Sequence, residues 1–268
     1  MHIVVAAKQV LDPDGVNSYA LWGRLAVDAS GRDFTVGDVI PRIINAYDEQ
    51  AMEAALRLKD ASPDVTITAI SAGPASTSEV LKRCVAMGAD RSIQVLDPET
   101  GAADGFRTAQ LLAAVVRELG DVDLVLCGRQ GSDYDQGTVP GVLAELLDAA
   151  YVTLAAAVAP AEGGVIVGRA TPLGREVVQA DFPAVVSVSN ELGIPRYPTS
   201  RGMLEARRKP PTVREASALL AAFPPRVEVV EVFVPAVQGN CEMISGATPA
   251  EKATNLMARL AAAGVFDA

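Results

Sequence analysis

The chain has 268 residues, half of them hydrophobic but only 4% aromatic, enough for a large core built mainly from aliphatic side chains. Its 33 acidic residues outnumber 23 basic ones, for a formal net charge of −10, and such a surface repels nucleic acid and anionic membranes alike. A single histidine, His2, and three widely spaced cysteines, Cys84, Cys127 and Cys241, argue against a Ser-His-Asp triad, a Cys-His pair, a disulfide framework or a metal site.

The opening run His2–Ala7 is too short for a signal peptide and reads as a first strand, and no later stretch reaches the roughly 20 apolar residues of a membrane span, so a cytoplasmic location without membrane insertion is expected. From Leu11 to Asn45 the chain is rich in Gly, Asp and Pro, long for a connection; it either covers a cleft or carries a small hairpin. Asp48–Lys59 then opens on acidic residues and closes on basic ones, as a helix dipole favours. Apolar runs at Val65–Ile70, Ser92–Leu96 and Leu124–Cys127 alternate with helical patterns at Thr77–Met87 and Phe106–Leu119. This rhythm predicts a Rossmann-like, doubly wound α/β fold with a mainly parallel sheet, in which ligands bind beyond the carboxyl ends of the strands.

After the strand ending at Cys127 comes a turn with glycines at 128, 131, 137 and 141, followed by Pro140 and the helical pattern Val142–Leu147. It matches neither G-x-G-x-x-G nor G-x-x-x-x-G-K-[ST]. A strand, a glycine-rich turn and a helix N-terminus still present backbone amides to an anion, phosphate above all; the other reading is an ordinary strand-to-helix connection. Small Ala6, Ala72 and Gly73 leave room for a flat base nearby. Asp133 and Asp135 suit ribose hydrogen bonding or bracing of the loop better than contact with phosphate.

Beyond Val152 the pattern gives a hairpin, Gly164–Arg169 with Glu176–Ala180, and a buried strand, Ala184–Val188. Pro195–Pro211 is a basic island in an acidic chain, with Arg196, Arg201, Arg207, Arg208 and Lys209 around Tyr197, Met203 and Leu204. It is either a solvated loop or a partner-docking element. A further strand is expected at Val227–Val234, between Pro224-Pro225 and Gly239, and Thr248-Pro249 starts a final helix, Glu251–Ala263.

Taken together, Val4–Val10 with Asp12, Ile43–Ala51 with Glu53–Lys59, Ala86–Arg91, Gly128–Pro140, and Pro195-Arg-Tyr197 with Ala206–Lys209 resemble, in order, the signatures of the β subunit of electron-transfer flavoproteins. The resemblance covers residues 1 to 210 well and the remainder loosely. It implies a heterodimer with an α subunit that carries the redox FAD. It also implies AMP in this chain's own cleft or, in the electron-bifurcating branch, a second FAD. The chain would be an electron carrier subunit and not an enzyme, passing electrons from a flavin dehydrogenase to a quinone reductase or another acceptor. Carried over by residue, Ala6 lies near the adenine, Asn45, Ala46, Tyr47, Asp48 and Ala72 line the nucleoside, and Gly128, Gln130, Ser132, Asp133, Gly137, Thr138 and Val139 hold the phosphate. Partner docking falls to Arg196, Tyr197, Ser200, Arg201, Met203 and Leu204.

The implied organisation is a nucleotide-binding domain over residues 1–190, a recognition loop over 191–212, and a C-terminal strand and helical arm over 213–268 that contacts the partner subunit. The chain departs from some relatives in three places. Its loop reads Asp133-Tyr-Asp135-Gln-Gly-Thr-Val-Pro140, Ser200 stands where an anchoring leucine is found, and Ala170 follows the hairpin residue Arg169. A competing reading is a stand-alone adenine-nucleotide sensor of the universal-stress type, which shares the broad fold but gives no role to the basic island or the last helix.

Overall fold

The computed structural model describes residues 1–21, 23–31, 34–35, 39–97, 104–219, 226–234 and 241–266. Pro224, Pro225 and Gly239 lie outside them. Two compact units are present, Met1–Val232 and Phe233–Ala268.

The first unit begins with β1 (His2–Ala6), β2 (Gln9–Leu11), α1 (Pro13–Leu21), β3 (Ala26–Val27), β4 (Phe34–Thr35), β5 (Arg42–Ile44) and α2 (Ala46–Ala61). It continues through β6 (Thr66–Gly73), α3 (Ser78–Met87), β7 (Arg91–Leu96), α4 (Gly105–Leu119), β8 (Leu124–Gly128) and α5 (Val139–Leu147). The strands β9 (Ala150–Ala161), β10 (Gly164–Thr171), β11 (Gly174–Asp181) and β12 (Ala184–Val188) follow, then α6 (Ser200–Arg208), β13 (Thr212–Glu215) and α7 (Ala216–Leu219). In the second unit, α8 (Pro249–Ala262) starts where Thr248 caps it, its hydroxyl accepting from the Glu251 amide at 3.2 Å.

Nine strands form one sheet in the order β11-β10-β9-β12-β8-β1-β6-β7-β13. From β9 to β13 neighbouring strands run parallel, and only β9-β10 and β10-β11 are antiparallel. The chain steps from β1 to β6 and β7 on one side and returns to place β8 on the other, so the strand order reverses at the β1–β8 pair. A crevice opens at the carboxyl ends of strands at such a switch point.

β1 is buried along its whole length because its alternate side chains enter two cores. Ile3 and Val5 join Met52, Leu58, Leu81 and Val85 from α2 and α3, whereas Val4 and Ala6 join Leu111, Leu112 and Leu143 from α4 and α5. The sheet is thus covered on both faces, and its C-terminal rim is the surface left for a ligand.

Several expectations are corrected. Leu11–Asn45 is not irregular throughout: it carries α1, the antiparallel pair β3-β4 and strand β5, which pairs with β2. The longest strand, β9, goes unread in the sequence, because Leu154-Ala-Ala-Ala157 has little of the β-branched character that marks strands. Val227–Val234 forms no strand and enters no ladder among the described residues; Val230 is 83% exposed, and the Val232 amide donates to the Gly31 carbonyl at 2.9 Å. Its alternating valines and glutamates mimic a half-buried strand without a face to bury against. Finally, the basic island is neither wholly loop nor wholly solvated, since Ser200–Arg208 is a helix capped by Thr199, whose hydroxyl accepts from the Gly202 amide at 3.0 Å.

Candidate functional site

At the β1–β8 switch point two polar side chains from the start of α2 brace the loops. Asp48 accepts from the Lys8 amide at 2.7 Å and the Gly128 amide at 2.8 Å, tying together the chain leaving both strands. Burial pushes its carboxyl up to about 6, while those two amides, Asn45 and the Lys8 charge pull the other way. Asn45 sits at the N-cap of α2 yet makes no capping bond with its side chain. Its amide nitrogen instead donates to the Gln130 carbonyl at 2.8 Å, its oxygen accepts from the Ser132 amide at 3.1 Å, and its backbone amide donates to Lys8 at 2.9 Å. One buried asparagine therefore fixes the glycine-rich loop on either side of Gly131.

The rest of the loop is braced from within. Lys8 Nζ lies 2.6 Å from each carboxylate oxygen of Asp133, and Gln130 donates to Asp135 at 2.6 Å. These contacts brace the loop, which is one of the roles open to the two aspartates. Gly137 has φ +62°, in the region that favours glycine. Among the described residues the amides of Gly137, Thr138 and Val139 meet no acceptor, and the Ser132 hydroxyl oxygen, though shielded from solvent, has no partner. Unbonded amides at the start of a helix are a donor set that suits an oxyanion.

These donors border a cleft of about 800 Å³. Every cofactor residue expected from the sequence lines it except Ala46 and Tyr47: Ala6, Asn45, Asp48, Ala72, Gly128, Gln130, Ser132, Asp133, Gly137, Thr138 and Val139 are all on its wall. Tyr47 faces Arg129 instead, whose guanidinium carbon is 5.1 Å from the ring centroid. The wall also includes residues the sequence reading missed. Asp104 and Gly105 come from the start of α4, where the Asp104 carboxylate caps the helix by accepting from Phe106 and Arg107. That Asp-Gly pair before an apolar helical run was a legible capping signal. Val16, Leu25, Phe34 and Arg42 come from the Leu11–Asn45 stretch, which thus does both things foreseen for it, carrying a hairpin and covering the cleft.

The residues assigned to docking are divided by the structure. Arg196 is committed to α2: its guanidinium lies 2.8 Å from Glu53 and 2.7 Å from Asp60. Burial pushes the Glu53 carboxyl up, but bonds from Arg196 and Arg57 outweigh it and hold it below the usual range. Tyr197 is 82% exposed, and Met203 and Leu204 on α6 are half exposed, with Ser200 and Arg201 at the same helix start. Elsewhere, Arg169 is tied into its hairpin by Glu176 and Thr153. No helix among the described residues is long and apolar enough to cross a membrane.

Comparison with known proteins adds a family to this geometry. The model of the electron transfer flavoprotein domain matches residues 34–219. Subunit CarD of the caffeyl-CoA reductase-Etf complex of Acetobacterium woodii is 33% identical over 97% of this chain and 98% of its own. The acryloyl-CoA reductase electron transfer subunit gamma of Anaerotignum propionicum is 30% identical over 97% of this chain and 98% of its own, and the electron transfer flavoprotein subunit beta of Megasphaera elsdenii is 35% identical over 68% and 70%. These matches are to electron transfer subunits, which favours the carrier reading over the stress-sensor one. With its switch-point cleft and ordered signatures, the chain belongs to the electron transfer flavoprotein family, as a member resembling the β subunit.

Proposed function

We propose that this chain holds an adenine nucleotide, AMP or the AMP half of a second FAD, in the β1–β8 cleft, and pairs with an α subunit whose FAD is the redox group. The observation that carries this reading is the row of unbonded amides at Gly137, Thr138 and Val139 above a hollow floored by Ala6, Ala72 and Gly73. Adenine lies on the small residues, where nothing larger than a methyl group intrudes. Phosphate takes the amides, at the positive end of α5. A cleft of about 800 Å³ is near the upper end of the roughly 300–1,000 Å³ usual for ligand sites, so it has space for a dinucleotide as well as a mononucleotide.

Flavin, where bound, supplies reversible electron acceptance; the residues of this chain bind, orient and shield, and move no proton or bond. The donor is a flavin dehydrogenase, and the acceptor a quinone reductase or another acceptor; among these we favour an oxidoreductase that reduces CoA thioesters, supported by the names of the two relatives aligned along nearly their whole length. Docking of the donor falls to the exposed Tyr197, Ser200, Arg201, Met203 and Leu204, with Arg196 setting their position from beneath.

The test is co-expression with an α subunit, followed by acid release and chromatography of the bound nucleotides. A yellow 1:1 complex yielding one FAD and one AMP fits simple transfer, and two FAD fits a second flavin in this cleft. A colourless chain that ignores the α subunit, or a homodimer releasing ATP, overturns the proposal.

A further inference from the structure

We propose that the cleft selects its nucleotide by charge, admitting ligands with about two phosphate charges and rejecting nucleoside triphosphates. This rests on the reading of the cleft as an adenine-nucleotide site. Volume does not make the selection, because about 800 Å³ leaves space for further phosphates beyond the first. Among the described residues the acidic side chains on the wall are four carboxylates, Asp48, Asp104, Asp133 and Asp135, against two basic ones, Lys8 and Arg42.

The cations contribute less than their number suggests. Lys8 is neutralised by Asp133, whose two oxygens both lie 2.6 Å from its ammonium. Arg42 is the remaining lining cation, outside any ion pair among the described residues. Asp135, by contrast, is matched only by the neutral amide of Gln130, so its charge faces the loop uncompensated. Asp104 caps α4 at the rim, accepting from the Phe106 and Arg107 amides, and also accepts from the Arg226 amide at 2.7 Å.

The anion cradle is therefore made of uncharged donors inside an acidic ring, an arrangement with different consequences for different phosphates. A monophosphate or a pyrophosphate diester brings about two negative charges and a triphosphate about four, at pH 7. Amide donors satisfy the first phosphate, whichever ligand carries it. Every further charge meets Asp135 and Asp104 while Lys8 is held by Asp133 and Arg42 is the one unpaired cation on the wall among the described residues, so the penalty grows with phosphate number and not with size. AMP and FAD then compete successfully in a cell where ATP is abundant.

Equilibrium dialysis of labelled AMP and ATP against the full-length chain, stripped of bound nucleotide, tests this at about 0.05 and 0.5 M salt. ATP is expected to bind at least tenfold more weakly than AMP at low salt. The gap is expected to narrow to about threefold in the Asp133→Asn/Asp135→Asn double variant, and to narrow in the unaltered chain at high salt. The salt arm needs no substitution, so a variant that folds poorly does not protect the proposal. Equal binding of ATP and AMP, or a gap that survives both neutralisation and salt, overturns selection by charge while leaving the cleft a nucleotide site. Failure of AMP, FAD and ATP alike to bind overturns the reading of the cleft itself.

Discussion

Asp48 Oδ1 lies 2.8 Å from the amide nitrogen of Gly128, in space that a side chain on Gly128 would have to share. A Cβ built there comes within 2.3 Å of that oxygen and 2.7 Å of Tyr47 Cβ. The last residue of β8 is thus glycine because the start of α2 presses against it, and the contact closes the inner wall of the cleft.

Gly128→Ala is therefore expected to destabilise the protein by about 2–4 kcal/mol, combining overpacking with a lost hydrogen bond to a buried carboxylate. Urea denaturation measures the loss. Nucleotide retention on gel filtration is expected to fall with it, since the loop begins at this residue.

Asn45 separates bracing from folding. Asn45→Ala removes the bonds to Gln130 and Ser132 without taking a cap from α2, because its side chain makes none. We expect a stability loss of about 1–2 kcal/mol but a nucleotide affinity lower by about 10- to 100-fold, read by calorimetric titration. Asn45→Asp should be no better, for it turns a carboxylate toward the Gln130 carbonyl. Near-native affinity in both variants would show that the loop holds its shape unaided.

Asp48 should titrate in an accessible range. Its folded pKa, about 6, lies above the ordinary 3.8, so its protonated form is favoured by folding. That contribution is complete below pH 3.8 and lost as pH rises through about 6. Asp48→Asn, which sets a second donor against the Lys8 or Gly128 amide, should therefore be destabilised relative to the native chain by more at pH 4.5 than at pH 7, with a difference of about 1–3 kcal/mol. Carbon-detected NMR of the carboxyl gives the midpoint directly; a value near 4 would contradict the assignment.

Glu53 carries the opposite sign. Its carboxyl, 5% exposed, is held below the ordinary 4.5, so its contribution is present above that pH and lost only as pH falls below it. Replacing it by alanine strands Arg196 and Arg57, and a loss of about 1–3 kcal/mol is expected after allowing for the partial exposure of Arg196. Limited proteolysis between 193 and 200 should accelerate in the same variant.

Docking is better tested by point changes than by removing Pro195–Lys209. Ala206 is 5% exposed, and a Cβ on Gly202 would come within 2.1 Å of the Ala86 carbonyl on α3, so deletion would open the core. Tyr197→Ala with Met203→Glu and Leu204→Glu leaves that contact alone. Electron transfer from the dehydrogenase is expected to fall at least tenfold while bound nucleotide is unchanged; loss of both would place these side chains in the fold.

How much of this was written in the sequence depends on the kind of force involved. The parallel half was legible because strands such as Val4-Val5 and Leu124-Val-Leu126 are buried on both faces and appear as unbroken apolar runs. β9 was not, as its alanines derive their extended form from β10 and β12 on either side. Val227–Val234 shows the converse: alternation alone builds no strand where there is no edge to join. In the site, the glycines and small residues predicted a hollow correctly, but the bracing by Asn45 and Asp48 spans 80 residues or more and leaves no local pattern. Arg196 read as a docking residue because its composition was basic; its partners, Glu53 and Asp60, are more than 130 positions away.

Helix α2 has a consequence for communication through the molecule. Its first turn grips the cleft through Asn45 and Asp48, and between about one and a half and three turns later Glu53, Arg57 and Asp60 grip the chain entering α6, with Arg57 donating to the Leu192 carbonyl at 3.0 Å. A rigid rod clamped at both stations transmits a tilt at either one as a lever does. Sixteen residues of backbone thus tie the rim of the hollow to the segment that leads into α6.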